Sequence, residues 1–116
     1  MILRFPVGHA ERHEVIFEFH SSIEFLRVII DGQSSIWDWR LLPFLPLRSV
    51  RKNGLARSYR YSAPFLSRFI NYTFFVGREE QVKVVIQQET NPWFGNLKKE
   101  RFRVYVNDSL IEDHEG

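Results

Sequence analysis

A chain of 116 residues is one domain's worth of polypeptide, long enough to close a core without metal or disulfide staples. Its 44% hydrophobic and 16% aromatic content excludes a disordered chain, and its lack of cysteine excludes disulfides and thiolate metal sites and fits a reducing compartment. The net charge of +2 conceals a segregation: residues 1–38 carry three basic and six acidic side chains, residues 79–116 five and eight, and residues 40–78 eight basic and no acidic ones.

The chain says much the same thing twice. Phe5, Val7, Gly8, Glu11 and Val15-Ile16-Phe17 are matched sixty-nine positions later by Phe74, Val76, Gly77, Glu80 and Val84-Val85-Ile86. Arg27-Val28-Ile29-Ile30-Asp31-Gly32 is answered by Arg103-Val104-Tyr105-Val106-Asn107-Asp108, after seven extra residues around Pro92-Trp93-Phe94-Gly95. The expected organisation is a duplicated β-hairpin unit within a single domain, 1–116. Repeat unit one covers 2–39, a basic central insertion 40–73, repeat unit two 74–112 and an acidic tail 113–116.

Met1 to Pro6 is too short and too soon interrupted for a signal peptide, and no run of about 20 apolar residues exists, so a cytoplasmic protein without a membrane span is expected. From His13 to His20 the chain alternates, with Val15, Phe17 and Phe19 on one face, which predicts a half-buried strand. Ser21-Ser22 breaks the pattern and a second strand follows from Phe25 to Ile30. Asp31-Gly32 supplies the positive-φ turn, and Ser35 to Trp39 returns as a third strand.

Pro43 and Pro46 exclude a central strand between Leu41 and Leu47 and leave extended edge structure or a covering loop. Asn53-Gly54, between Arg48–Arg51 and Leu55–Tyr61, predicts a hairpin. Ala63-Pro64 breaks the chain before a strand at Phe69–Val76. Repeat unit two adds strands near Gln81–Glu89 and Lys99–Asn107 and a short return at Ser109–Ile111, with the acidic end frayed. The sum is about nine strands, an all-β antiparallel sandwich or flattened barrel built from two related hairpin units.

The run of motifs resembles the N-terminal β-sandwich domain of the Fas apoptosis inhibitory molecule family. The likeness begins at His13-Glu14-Val15-Ile16-Phe17-Glu18 and continues through Val28-Ile29-Ile30-Asp31-Gly32, Ile36 and Trp39. It resumes at Phe74-Phe75-Val76-Gly77 and ends at Val104-Tyr105-Val106-Asn107. Here the segment from Leu41 to Thr73 is longer than in the family, and Asp108 stands where the family closes on glycine. The resemblance implies an antiparallel sandwich without an active site and carries no functional residue across.

The candidate site is the basic segment: Arg48, Arg51, Lys52, Arg57, Arg60 and Arg68, interleaved with Tyr59, Tyr61, Phe65 and Phe69. Were the Asn53-Gly54 hairpin to project, several of these cations would gather near its tip. Three uses stay open: pairing with the repeats' own carboxylates or guarding edge strands, binding an acidic protein or other anionic partner, and neutralising phosphates with base stacking. Trp93 and Phe94 in the Pro92–Gly95 insertion either anchor a partner or fold back as a cap. Trp37 and Trp39 share a face and read as core or as an interface, including a homodimer through an edge strand.

His9, His13 and His20 do not share one face with a carboxylate at ligand spacing, so no metal or other cofactor is expected. No G-x-S-x-G, H-E-x-x-H or phosphate-cradling loop occurs, and no catalytic residue is assigned. Glu11 and Glu80, equivalent by repeat, read as structural. The expected function is a non-enzymatic interaction module that binds a protein or other acidic partner through its basic segment, with nucleic-acid binding as the alternative.

Overall fold

The computed structural model describes residues 1–20, 25–39, 47–51, 55–62, 69–89 and 101–115. Among them are ten strands and no helix. They are β1 (Ile2–Val7), β2 (His13–His20), β3 (Phe25–Ile30), β4 (Gln33–Trp39), β5 (Leu47–Val50), β6 (Ala56–Ser62), β7 (Phe69–Val76), β8 (Val82–Glu89), β9 (Arg101–Val106) and β10 (Ser109–Glu115). Two antiparallel five-stranded sheets result, ordered β1-β2-β3-β4-β5 and β10-β9-β8-β7-β6. This is the all-β, two-sheet class to which β-sandwiches belong. The described residues contain no helix long and apolar enough to cross a membrane.

The chain divides into two compact units, one of Met1–Arg57 with Val76–Gln81 and one of Ser58–Phe75 with Val82–Gly116. Alternation builds each. In the first, Leu3, Phe5 and Val7 of β1, Val15, Phe17 and Phe19 of β2, Leu26, Val28 and Ile30 of β3 and Ile36 of β4 are buried on one face. In the second, Tyr72 and Phe74 of β7, Val84 and Ile86 of β8 and Phe102 and Val104 of β9 do the same. Antiparallel strands with a period of two make one apolar face per sheet, and burying it is the main driving force for each layer.

Hairpin geometry recurs at matched positions. Asp31 (φ 50°) and Gly32 (φ 77°) close β3–β4, and Asn107 (φ 48°) and Asp108 (φ 68°) close β9–β10. In the first, Asp31 N–H donates to the Glu14 carbonyl (2.9 Å), and Asp31 Oδ1 accepts from Glu14 N–H (2.8 Å). In the second, Asn107 N–H donates to the Lys83 carbonyl (2.9 Å), and Asn107 Oδ1 accepts from Lys83 N–H (3.0 Å). The short Asx side chain tolerates the left-handed backbone because it satisfies the neighbouring strand's amide as it turns. Ladder irregularities recur as well. The β3–β4 register slips between Val28 and Ile29, leaving Ser35 unopposed, and the β9–β10 register slips between Leu110 and Glu112, leaving Ile111 unopposed.

Three expectations are corrected. The expected hairpin between β5 and β6 is not formed: β5 pairs with β4 in the first sheet and β6 neighbours β7 in the second, while Asn53-Gly54 lie outside the described residues. An Asn-Gly pair favours a local reversal, yet β4 gives β5 a fully registered ladder, and the carbonyl of Leu55 takes the N–H of Gly77 at 2.9 Å. The acidic end is not frayed, because β10 runs to Glu115, where Asp113 faces Arg101 and Arg103 of β9. Trp37 and Trp39 lie on the face opposite buried Ile36 and Asp38, half-buried and exposed respectively, so they are not core.

Candidate functional site

The central segment divides between the sheets. Arg48 lies on β5 and Arg51 directly after it, while Arg57 and Arg60 lie on β6; all four are exposed. Lys52, Arg68, Trp93 and Phe94 lie outside the described residues. Arg48 has a structural partner: its Nε stands 3.3 Å from Oδ2 of Asp38, whose side chain is wholly buried. A buried carboxylate is costly without a cation, so Arg48 is tied to the fold. Tyr59 and Tyr61 of β6 are half-buried, and the Tyr61 ring leans on buried Tyr72 at a centroid distance of 5.7 Å. The Tyr61 ring is therefore partly covered.

Next to β5 the first sheet carries a largely apolar row built from four strands. Register aligns His20, Phe25, Trp39 and Leu47 across β2 to β5. His20 and Phe25 have centroids 6.1 Å apart, and Phe25 meets Trp39 edge-on at 6.5 Å, a favoured aromatic geometry. Trp39 (37%), Leu47 (56%) and, on the other side of β5, Val50 (39%) stay exposed. One row inward, Arg27 on β3 holds Glu18 on β2 through two bonds to Oε2, at 2.9 and 2.6 Å. The alternation of each strand was visible; which strands lay side by side was not.

A second cluster joins two loops within the first unit. Glu11 accepts from the backbone N–H groups of Arg78 (2.7 Å) and Glu79 (2.8 Å). Glu80 reciprocates with those of His9 (2.6 Å) and Ala10 (2.9 Å). Gly8 and Gly77, at φ 91° and 111°, make the turns possible: a Cβ at Gly8 would strike the carbonyl oxygen of Glu11, and one at Gly77 that of Glu80. Four backbone donors on two carboxylates make a clasp, and ionised acceptors give its bonds charge assistance.

His13 extends this cluster. Its Nδ1 lies 2.5 Å from Asp31 Oδ2, and its Nε2 meets Glu11 Oε2. Burial pulls the His13 pKa down, but the hydrogen bonds to Asp31 and Glu11 and their charges outweigh it and leave the imidazole above its ordinary 6.5. Backbone bonds from Glu79, the bond from His13 and that from Arg78 bring Glu11 from 4.5 to about 2. The backbone bonds of His9 and Ala10 lower Glu80. An imidazolium donating at both nitrogens has no lone pair for base catalysis.

An open cleft of 420 Å³ beside it is lined by Arg4, Phe5, Pro6, Arg12, His13 and Glu14. Arg4 is already near Glu14 there, at 3.8 Å. No group of three or more His, Cys, Asp or Glu side chains among the described residues is arranged to hold a metal ion. The cluster's chemistry is that of a fastening. Comparison of the chain with protein-family models, with curated proteins and with solved structures finds no match in any of the three.

Proposed function

We propose that the chain is a non-enzymatic interaction module that binds an acidic protein partner through its basic central segment. The observation that carries this reading is the β5 border, where exposed Leu47 stands opposite exposed Trp39 and exposed Arg51 follows at the other end of the strand, in a stretch without a single acidic residue. Apolar anchors beside an unbalanced positive charge suit a partner surface that offers both apolar and acidic groups. The half-buried setting of Tyr59 and Tyr61 favours a protein over a single-stranded nucleic acid, which would need those rings to stack on. The chain's likeness to the Fas apoptosis inhibitory molecule domain, which implies no active site, points the same way. So does the recurrence of one hairpin geometry, which we read as a duplicated unit serving as scaffold.

Titrating the full chain with fluorescein-labelled polyglutamate tests the reading. Binding is expected to weaken as salt rises, and Arg51→Glu should weaken it about tenfold at low salt. Absence of binding at low salt contradicts the proposal. Tighter binding of a DNA oligonucleotide of equal charge would transfer the segment to nucleic acid.

A further inference from the structure

The two sheets run on similar ladders and differ in what they carry on the face opposite the buried one. In the second sheet Arg103 stands between Gln87 and Asp113, and Arg101 stands opposite Glu89. Arg101 reaches Asp113 at 2.5 Å and Arg103 reaches Glu89 at 3.4 Å, the charged surface expected of an antiparallel sheet that meets water. In the first sheet the matching rows set Arg27 between Glu18 and Trp37, and Phe25 between His20 and Trp39. The row beyond is apolar in both, Ile16 opposite Ile29 and Val85 opposite Tyr105. Such a ladder therefore holds with charged residues where the first sheet has rings. Aromatic residues left half-buried or exposed on so broad a face mark a surface that another molecule covers.

At the centre of this face sits one ion pair with bonding capacity left over. Arg27 donates from Nε and Nη2 to a single oxygen of Glu18, Oε2, at 2.9 and 2.6 Å. Nη1 of Arg27 and Oε1 of Glu18 bond to nothing among the described residues. Both side chains are partly accessible, Arg27 at 41% and Glu18 at 14%. One spare donor and one spare acceptor thus lie side by side on adjacent strands, with no net charge between them. Their complement is a surface that offers the same two groups in reverse order.

We propose that this face of β1–β4 binds a second copy of the chain, about a two-fold axis that runs along the strands between β2 and β3. A half-turn about that axis lays β2 over β3 of the second copy. Glu18 then lies over the second copy's Arg27 and Arg27 over its Glu18, so each spare N–H meets a spare carboxylate oxygen. In the adjoining rows Ile16 lies over the second copy's Ile29 and Phe25 over its His20, while Trp37 lies over its Ile2, which is 60% exposed. Sheets with nearly aligned strands pack in this way about 10 Å apart, and their twist splays the corner where Glu14 would otherwise face the second copy's Asp31. β4 falls over β1 of the second copy and β5 lies outside the overlap, which leaves Leu47 and Arg51 to an acidic partner. The dimer therefore goes beyond the interaction-module reading and does not rest on it. An acidic partner is the poorer occupant of this face, because Glu18 cancels Arg27.

Sedimentation velocity of the full chain tests this. The wild type is expected to pass from monomer to dimer as its concentration rises. Glu18→Arg and Arg27→Glu each gather like charges at the axis, and each should raise the dimer dissociation constant about tenfold or more. Mixed one to one, the two variants should associate with each other, since two cations then lie over two carboxylates. Variants that had merely failed to fold could not recover in this way. Arg51→Glu should leave the dimer intact while it weakens polyglutamate binding, because β5 lies outside the overlap. A wild type still monomeric at about 1 mM, or a mixture no heavier than its separate components, overturns the proposal and leaves the acidic-partner reading standing. A dimer that Arg51→Glu dissolves overturns it as well, because the contact then lies at β5.

Discussion

His13 sits between two carboxylates, and the sign of its effect on stability follows from that. Its folded pKa is raised, so it contributes most where it is protonated in both states, below 6.5, and that contribution is lost as pH rises through the folded value. Glu11 is depressed from 4.5 to about 2, so its contribution is present above 4.5 and lost as pH falls toward 2. Asp31 and Glu80 are lowered too and reinforce the acid limb. Urea-denaturation midpoints of the wild type should therefore decline above pH 6.5 and again below pH 4.5. His13→Gln should flatten the alkaline limb and leave the Glu80 half of the clasp in place. An alkaline limb unchanged in that variant would remove His13 from the account.

The elements show the cost and use of individual turn residues. Asp108 occupies a left-handed position (φ 68°) that Gly32 fills in the matching turn. Its side chain offers only an exposed 3.5 Å approach to Lys83 Nζ in return. Asp108→Gly should relieve the backbone and stabilise the protein by up to about 1 kcal/mol, read as a shift of the urea midpoint. A loss of stability would mean that the carboxylate matters more than the backbone. These turns, and the strands β2, β3, β8 and β9, were legible because period-two burial and Asx-Gly chemistry are local properties of the chain.

Pairing was not legible. Asn53-Gly54 carried the signature of a reversal, but the choice of neighbour for β5 was settled by β4 and by the buried Asp38 that Arg48 serves. The length of β10 was missed for a related reason. Glu and Asp are poor strand formers in isolation, and only Arg101 (2.5 Å to Asp113) and Arg103 on the neighbouring strand make the acidic end worth ordering. The clasp was half legible. The spacing Gly8-x-x-Glu11 and Gly77-x-x-Glu80 was plain, but that each glutamate serves the other's loop is a long-range fact.

At the scale of the whole chain, charge and architecture divide the labour. Two five-stranded sheets, each with one apolar buried face, supply the scaffold, and the acidic residues of the flanking stretches are spent largely on turns, the clasp and cross-strand pairs. The basic stretch between them is answered internally at Arg48 and still presents Arg51 at an edge with neither proline, positive φ nor bulge. The proposed function depends on that cation meeting an acidic partner.

Binding of labelled polyglutamate by the full chain examines it most directly. Affinity should fall as salt rises and drop about tenfold in Arg51→Glu. An affinity that neither salt nor the substitution changes would contradict the account.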